Sequence, residues 1–235
     1  PYQLTILDNG SDDETPQIGM ELAEKYPEVS YVRVGERGVG VAFRKGIELN
    51  ECNIVGYMDI DLSTDLKYLS KTIELFQTKP ELQYVNGSRF SKESDTKGRK
   101  WYRKITSMGL VFLLKTIFRM KATDAVCGFT FLRKEAAEQL VKESSNDNGW
   151  FYTIEFLLRA ELERVARGYP PALGLCHGLL PPGAVLRHRV PDVPPVQVLP
   201  AVRLAEELRQ LPGREDHRRH PHLCVHGFRR HLVPP

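Results

Sequence analysis

No stretch of this chain is apolar over the roughly 18–20 residues that a helix needs to cross a bilayer, so no helical span is expected. Cys-x-x-Cys pairs are also missing. Cys52, Cys127, Cys176 and Cys224 are scattered, which excludes a disulfide-stapled miniprotein and makes a reducing compartment the expectation. The opening Pro1-Tyr2-Gln3-Leu4 lacks a basic stretch followed by an apolar one, so no secretion signal is expected there. The largest gap in vocabulary lies in the last third: after Glu163 there is no Lys, Ser, Thr, Asn, Ile, Met or Trp. That region instead holds all 7 His and 12 of the 16 Pro, with 11 Arg against 5 acidic residues. Residues 1–163 carry 22 basic and 25 acidic residues, so the net charge of +3 conceals an acidic body and a basic tail. The basic pI is therefore a property of the tail, and no nucleic-acid partner is expected.

What is present is an ordinary globular composition, 41% hydrophobic and 27% charged over 235 residues, enough for one sizeable core. Within 1–163 strand and helix signals alternate. Leu4–Leu7 is a short apolar run ending at Asp8, and Asn9-Gly10-Ser11 is a turn cluster. Thr15 with Pro16 reads as a helix start. Further strands are expected at Tyr31–Val34, Asn53–Met58, Gln83–Val85 and Phe129–Leu132, with helices around Val41–Leu49, Leu66–Phe76, Trp101–Met120, Lys134–Lys142 and Trp150–Glu163. Such alternation implies βαβ units and a mainly parallel sheet flanked by helices. Ligands of such sheets bind beyond the carboxyl ends of the strands, where Asp8, Asp59, Asp61 and Arg89 gather. The tail, 164–235, is punctuated by Pro-Pro pairs and offers only Val198–Leu211 as a helix. The abrupt change near residues 161–164 points to a shifted reading frame or a fusion junction, and to a non-native or disordered tail.

Asp59-Ile60-Asp61 closes an apolar strand. Two carboxylates at a strand end suit a hard divalent cation whose other ligands come from a diphosphate, and that cation neutralises charge on a departing phosphate. The plainer alternative is one helix-capping Asp and one solvated Asp. A second enzymatic alternative is a phosphatase of the haloacid dehalogenase type with Asp59 as nucleophile.

The neighbouring segments favour the first. DNGSDDET, ERGVGVAFRKG, YMDIDLSTD, NGSRF, WYRKITSMG and DAVCGFTFLRK follow one another between Asp8 and Lys134. In this order and spacing they resemble the family-2 inverting glycosyltransferases of the GT-A fold. The nearest branch is that of the dolichyl-phosphate mannose and glucose synthases and related polyprenyl-phosphate sugar transferases. The resemblance implies a partial catalytic domain over 1–163 that lacks the family's first strand. It implies transfer of a hexose, with inversion, from a GDP- or UDP-sugar to a polyprenyl phosphate, with Mg2+ or Mn2+ as cofactor. It makes Asp61, Arg89 and Asp124 the expected catalytic residues, and Asp8, Gly38, Gly40 and Asp59 the nucleotide-binding ones. The acceptor phosphate would meet Arg89, Arg103 and Ser107, and the metal Asp59, Asp61 and Ser63.

A phosphate acceptor is already ionised near neutral pH, so no strong general base is required. A hydroxyl acceptor would need one, with Asp124 or Glu155 as the candidates. Glu155 lies in an aromatic-Asp-x-Glu-like segment in which Thr153 replaces the Asp. Met108–Met120 is an apolar run with flanking Lys and Arg. It is too short to span and reads either as core helix or as a helix lying at a membrane interface. A cytoplasmic chain, peripheral on the cytoplasmic membrane face, is the corresponding expectation. The remaining alternative is an inactive fragment that binds nucleotide or membrane alone.

Overall fold

Apolar, β-rich runs form the strands of a single sheet, and the amphipathic segments between them coil into helices on its faces. The computed structural model describes residues 2–59, 67–88, 90, 101–166, 173–176 and 222–226. In chain order these form β1 (Gln3–Asp8), α1 (Thr15–Lys25), β2 (Val29–Arg33), α2 (Val39–Glu48), β3 (Ile54–Asp59), α3 (Lys67–Thr78) and β4 (Tyr84–Ser88). Then come α4 (Trp101–Phe118), β5 (Phe129–Arg133), α5 (Lys134–Glu143), α6 (Phe151–Ala166), β6 (Leu173–Cys176) and β7 (His222–His226). The expected elements of the first 163 residues are all present with small shifts in their ends. One local detail differs. Glu14, not Thr15, is the N-cap of α1 and makes no side-chain cap bond. The Asp13 carboxylate instead accepts the Thr15 N–H at 3.0 Å, because an Asp side chain readily reaches an amide two residues on.

The strand order is β2-β1-β7-β3-β5-β4-β6. β1 pairs with β2, and β4 with β6, in parallel. β5 runs against β3 and β4, and β7 against β1 and β3. Five strands therefore share one direction, and the sheet is mainly parallel in the sense expected. The carboxyl ends of β1, β3 and β4 (Asp8, Asp59 and Ser88) fall on one edge, where the reversed β5 and β7 begin.

Both faces of the sheet are covered. On one, Leu22 of α1 and Tyr68, Leu69 and Phe76 of α3 pack with Leu4, Ile6, Met58 and Phe131. On the other, Phe43 and Ile47 of α2, Leu140 of α5 and Phe156 of α6 pack with Leu7, Val55 and Tyr57. This two-sided burial explains why β1 and β3 read as continuous apolar runs rather than as alternation. Each such side chain contributes about 1.5–3 kcal/mol by leaving water. The Phe43 ring meets Tyr57 edge-on at 5.3 Å and Phe156 at 4.9 Å.

Helix α4 is different. It meets the core through Val111 and Leu114, with Ser107 half-buried on the same stripe. Its other described apolar side chains face outward: Phe112 is 71% and Ile117 61% exposed. No helix among the described residues is long and apolar enough to cross a membrane.

The tail supplies two strands that the sequence pattern had not suggested. The proposed helix at Val198–Leu211 lies outside the described residues. β7 sits between β1 and β3, pairing with Gln3–Leu7 on one side and with Val55–Asp59 on the other. Among the described residues it is the only ladder joining the β2-β1 pair to the rest of the sheet. A proline there removes a ladder hydrogen bond and clashes with its neighbours. Cys224→Pro is therefore expected to cost about 1–3 kcal/mol, the penalty of a ladder acceptor left without its donor, and to lower Tm by about 2–12 °C for a domain of this size. An unchanged Tm in scanning calorimetry would show that the tail strand carries no part of the fold.

Candidate active site at the carboxyl edge of the sheet

Asp59 ends β3 and is half-buried. Residues two apart on a strand share a face, and the Tyr57 Oη donates to Asp59 Oδ1 at 2.8 Å. The Asp59 N–H donates to the Gly128 carbonyl at 3.0 Å. The other carboxylate oxygen lies against Gly128 itself: a Cβ there would stand 1.8 Å from Oδ2. The β3–β5 register, with Met58 opposite Phe129, brings the two together. The Cys127-Gly128-Phe129 segment is therefore a seat for the first carboxylate of the Asp-x-Asp pair. On the other side of β3, His222 is the register partner of both Asp59 and Leu7.

Asp8 is fully buried at the end of β1. Its Oδ1 accepts the N–H groups of Gly10 at 3.1 Å and Ser11 at 2.7 Å, and its Oδ2 accepts the Tyr31 hydroxyl at 2.6 Å. Burial, reinforced by the bond to the Asp8 carboxylate, pushes the Tyr31 hydroxyl well above the usual phenol range. Gly10 takes a φ of +97°, which favours glycine. Asp8 thus organises the loop after β1 with most of its accepting capacity. Gly38 and Gly40, expected to line a nucleotide pocket, make room for protein. A Cβ on Gly38 would lie 1.9 Å from the Asn148 carbonyl oxygen, and one on Gly40 2.4 Å from that of Asp147. The Gly40 N–H donates to the Asn148 carbonyl, and Arg44 donates to Asp147 and Asn148. These glycines dock the loop before α6 onto the start of α2.

Asp124 is buried beside the β4 end. Its Oδ1 accepts the Val126 N–H at 3.1 Å, and its carbonyl accepts Asn86 Nδ2 at 2.9 Å. Asn86 Oδ1 accepts Thr130 Oγ1, and Thr123 Oγ1 donates to Ser88 Oγ at 2.6 Å. Glu161 of α6, also buried, accepts the N–H groups of Lys121 at 2.7 Å and Ala122 at 2.6 Å. The α4–β5 loop is thereby fastened to both β4 and α6. Glu155 accepts from the backbone and hydroxyl of Ser145 and from Arg159 Nε. Burial works against its charged form, but these hydrogen bonds outweigh it and hold the carboxyl below its ordinary value of 4.5.

A family profile described as "Glycosyl transferase family 2" matches residues 1–141. The chain belongs to glycosyl transferase family 2. Curated relatives include the glycosyltransferase AglD of Haloferax volcanii, 29% identical over 161 residues, covering 68% of this chain and 25% of that protein. The dolichol-phosphate mannosyltransferase of Pyrococcus furiosus is 29% identical over 168 residues, 70% of this chain and 46% of the relative. The dolichyl-phosphate beta-glucosyltransferase of Dictyostelium discoideum is 27% identical over 168 residues, 68% of this chain and 51% of the relative. The chain thus spans between a quarter and a half of the length of the relatives it matches.

Its fold is that of the GT-A glycosyltransferases. The glucosyl-3-phosphoglycerate synthase of Mycobacterium tuberculosis superposes with a TM-score of 0.55 at 16% identity, over 77% of this chain and 62% of that one. A structure of the same enzyme with Mn2+, UDP and glucosyl-3-phosphoglycerate gives 0.53 at 14% identity, over 75% and 59%.

Within this family-2 chain, Asp61, Ser63 and Arg89 lie outside the described residues, as does the side chain of Arg103. Among the described residues no group of three or more His, Cys, Asp or Glu side chains could by itself hold a metal. The part that is described suits a hard cation: an oxygen donor at the strand end, seated in a cradle that a Cβ on Gly128 would fill. The phosphatase alternative has no support in the family match, and Asp59 follows two earlier strands.

The bonds to Glu155 give a pH prediction. Its carboxyl is held lower in the folded chain than in the unfolded one, so its contribution is complete above its unfolded value and lost as pH falls through the folded value. Glu155→Gln should lower Tm at pH 7, and the gap from the parent should close on acidification below the ordinary carboxyl value. A gap independent of pH would contradict this assignment.

Proposed function

We propose that this chain transfers a hexose from a nucleoside-diphosphate sugar to a polyprenyl phosphate, with inversion at the anomeric carbon and with help from a divalent cation. The observation that carries the reading is the seated Asp59 carboxylate at the carboxyl edge of a GT-A sheet, in a chain whose relatives are named for dolichol-phosphate sugar transfer.

Asp59 and Asp61 would hold Mg2+ or Mn2+, with Ser63 beside them. The cation, when bound, would neutralise charge on the departing diphosphate. The loop that Asp8 organises would face the nucleotide, and the docked loop at Gly38 and Gly40 would frame its pocket. GDP and UDP sugars are both compatible donors. Arg89 and Arg103, with Ser107, would fix the acceptor phosphate, since guanidinium groups match phosphate oxygens in pairs. Asp124, held by Asn86 and by its own turn, would serve as the buried acid beside the β4 end. The acceptor oxygen then attacks the anomeric carbon from the side opposite the diphosphate. A phosphate needs no strong base, and Glu155, already bonded to Ser145 and Arg159, is poorly suited to serve as one.

The outer surface of α4 supplies the route to a lipid. Between Asp95 and Asp124 the chain carries 8 Lys or Arg and no acidic residue. Over the same stretch Ile105, Met108, Phe112, Leu113, Ile117 and Phe118 are exposed. Exposed apolar side chains in a stretch rich in Lys and Arg fit an anionic lipid surface, into which such a helix sinks its apolar face. We place the chain on the cytoplasmic face of a membrane, where the acceptor tail remains in lipid while its phosphate reaches the sheet edge.

Two measurements test this. Radiolabelled nucleotide sugars offered with polyprenyl phosphate and Mn2+ should yield a labelled lipid, and Asp59→Ala should lower kcat/KM by about 10²–10³-fold. No product with any hexose donor would contradict the reading. Replacing Phe112 and Ile117 together by Glu should weaken binding to phosphatidylserine vesicles at least tenfold, while unchanged sedimentation with the vesicles would remove α4 as the contact.

A further inference from the structure

We propose that Tyr57 and Gly128 are positioning residues that fix the Asp59 carboxylate in the one orientation in which it can receive a cation. The proposal rests on Asp59 being a cation ligand, and it assigns the work of orienting that ligand to two residues whose own oxygens are bonded to Asp59: the Tyr57 hydroxyl and the Gly128 carbonyl.

Tyr57 is nearly fully buried, at 3% exposure, and its ring is held edge-on against Phe43 at 5.3 Å. Its hydroxyl is therefore delivered to a fixed point, where it donates to Asp59 Oδ1 at 2.8 Å. Gly128 acts from the other side. Its backbone does not require glycine, since the positive-φ glycines among the described residues are Gly10 and Gly38. What requires glycine is space. A Cβ would stand 1.8 Å from Asp59 Oδ2 and 2.1 Å from Cγ, a separation that no methyl group tolerates. The Asp59 N–H to Gly128 carbonyl bond, at 3.0 Å, keeps the two positions from drifting apart. The carboxylate is thus clamped between a hydroxyl and a bare Cα. Residues that orient a metal ligand in this way typically contribute 10–100-fold in metal affinity.

The test is a Mn2+ titration of the full chain with uridine diphosphate present, followed by the electron paramagnetic resonance signal of free Mn2+. Tyr57→Phe keeps the ring and removes only the hydroxyl. It should raise the Kd for Mn2+ about tenfold with Tm nearly unchanged, and Gly128→Ala should raise it about 10–100-fold. Asp59→Ala is run beside them. If it abolishes binding while Tyr57→Phe and Gly128→Ala both bind like the parent, the positioning role is overturned and the cation role of Asp59 stands. If Asp59→Ala also binds like the parent, the cation role itself falls, and this proposal with it. Should Gly128→Ala fail to fold, Tyr57→Phe decides alone: parental affinity overturns the role, and a tenfold loss at unchanged Tm supports it.

Discussion

The carboxylate of Asp59, held between the Tyr57 hydroxyl and the bare Cα of Gly128, is the interaction around which the site is built. It depends on one register. Because Met58 faces Phe129 across the β3–β5 ladder, the residue after one meets the residue before the other at the sheet edge. A slip of a single position would turn the Asp59 side chain to the opposite face. Phe129 and Phe131 pack against each other at 4.8 Å within the core, and their burial fixes that register. Core packing and the setting of the Asp59 carboxylate are here one constraint, carried by the same pair of strands.

The sheet also sets the distance between the two acidic strand ends. Asp8 and Asp59 terminate strands that pair with β7 and not with each other. Asp8 has its carboxylate bonded to its own loop and to Tyr31, so it shapes the edge from below. Asp124 and Glu161 do the same for the α4–β5 loop, and the Gly38–Gly40 segment does so for the loop before α6. Buried acids at this edge hold loops by accepting backbone N–H groups, which is among the stronger uses of a carboxylate. Asp59 differs in being half-buried, with its carboxylate seated by Tyr57 and Gly128.

The parallel core was legible because two-sided burial writes itself as unbroken apolar runs, and Leu4–Leu7 and Ile54–Met58 end in the acids that mark the edge. The same pattern put Asp59 at a strand end, and β3 does end there. Tyr57 and Gly128 were not legible as partners of Asp59. A strand Tyr two residues before an acid is unremarkable, and Gly128 lies far away in sequence until the β3–β5 ladder forms. Glu161 reads as an ordinary polar helix residue, and only the packing of α6 against the α4–β5 loop buries it. The resemblance gave Gly38 and Gly40 as nucleotide-binding positions; that their missing Cβ atoms admit Asn148 and Asp147 is a contact between distant segments that spacing does not encode. β7 carries a weak signal, His-Leu-Cys-Val-His between a Pro and a Gly, which the Arg- and Pro-rich composition around it obscured.

The most direct measurement of the central claim is anomalous diffraction at the manganese edge from crystals of the full chain grown with Mn2+ and uridine diphosphate. The account predicts a peak within coordination distance of an Asp59 carboxylate oxygen, with the Tyr57 hydroxyl still bonded to that carboxylate. A peak elsewhere, or an Asp59 side chain turned away from Gly128 with no metal beside it, would contradict it.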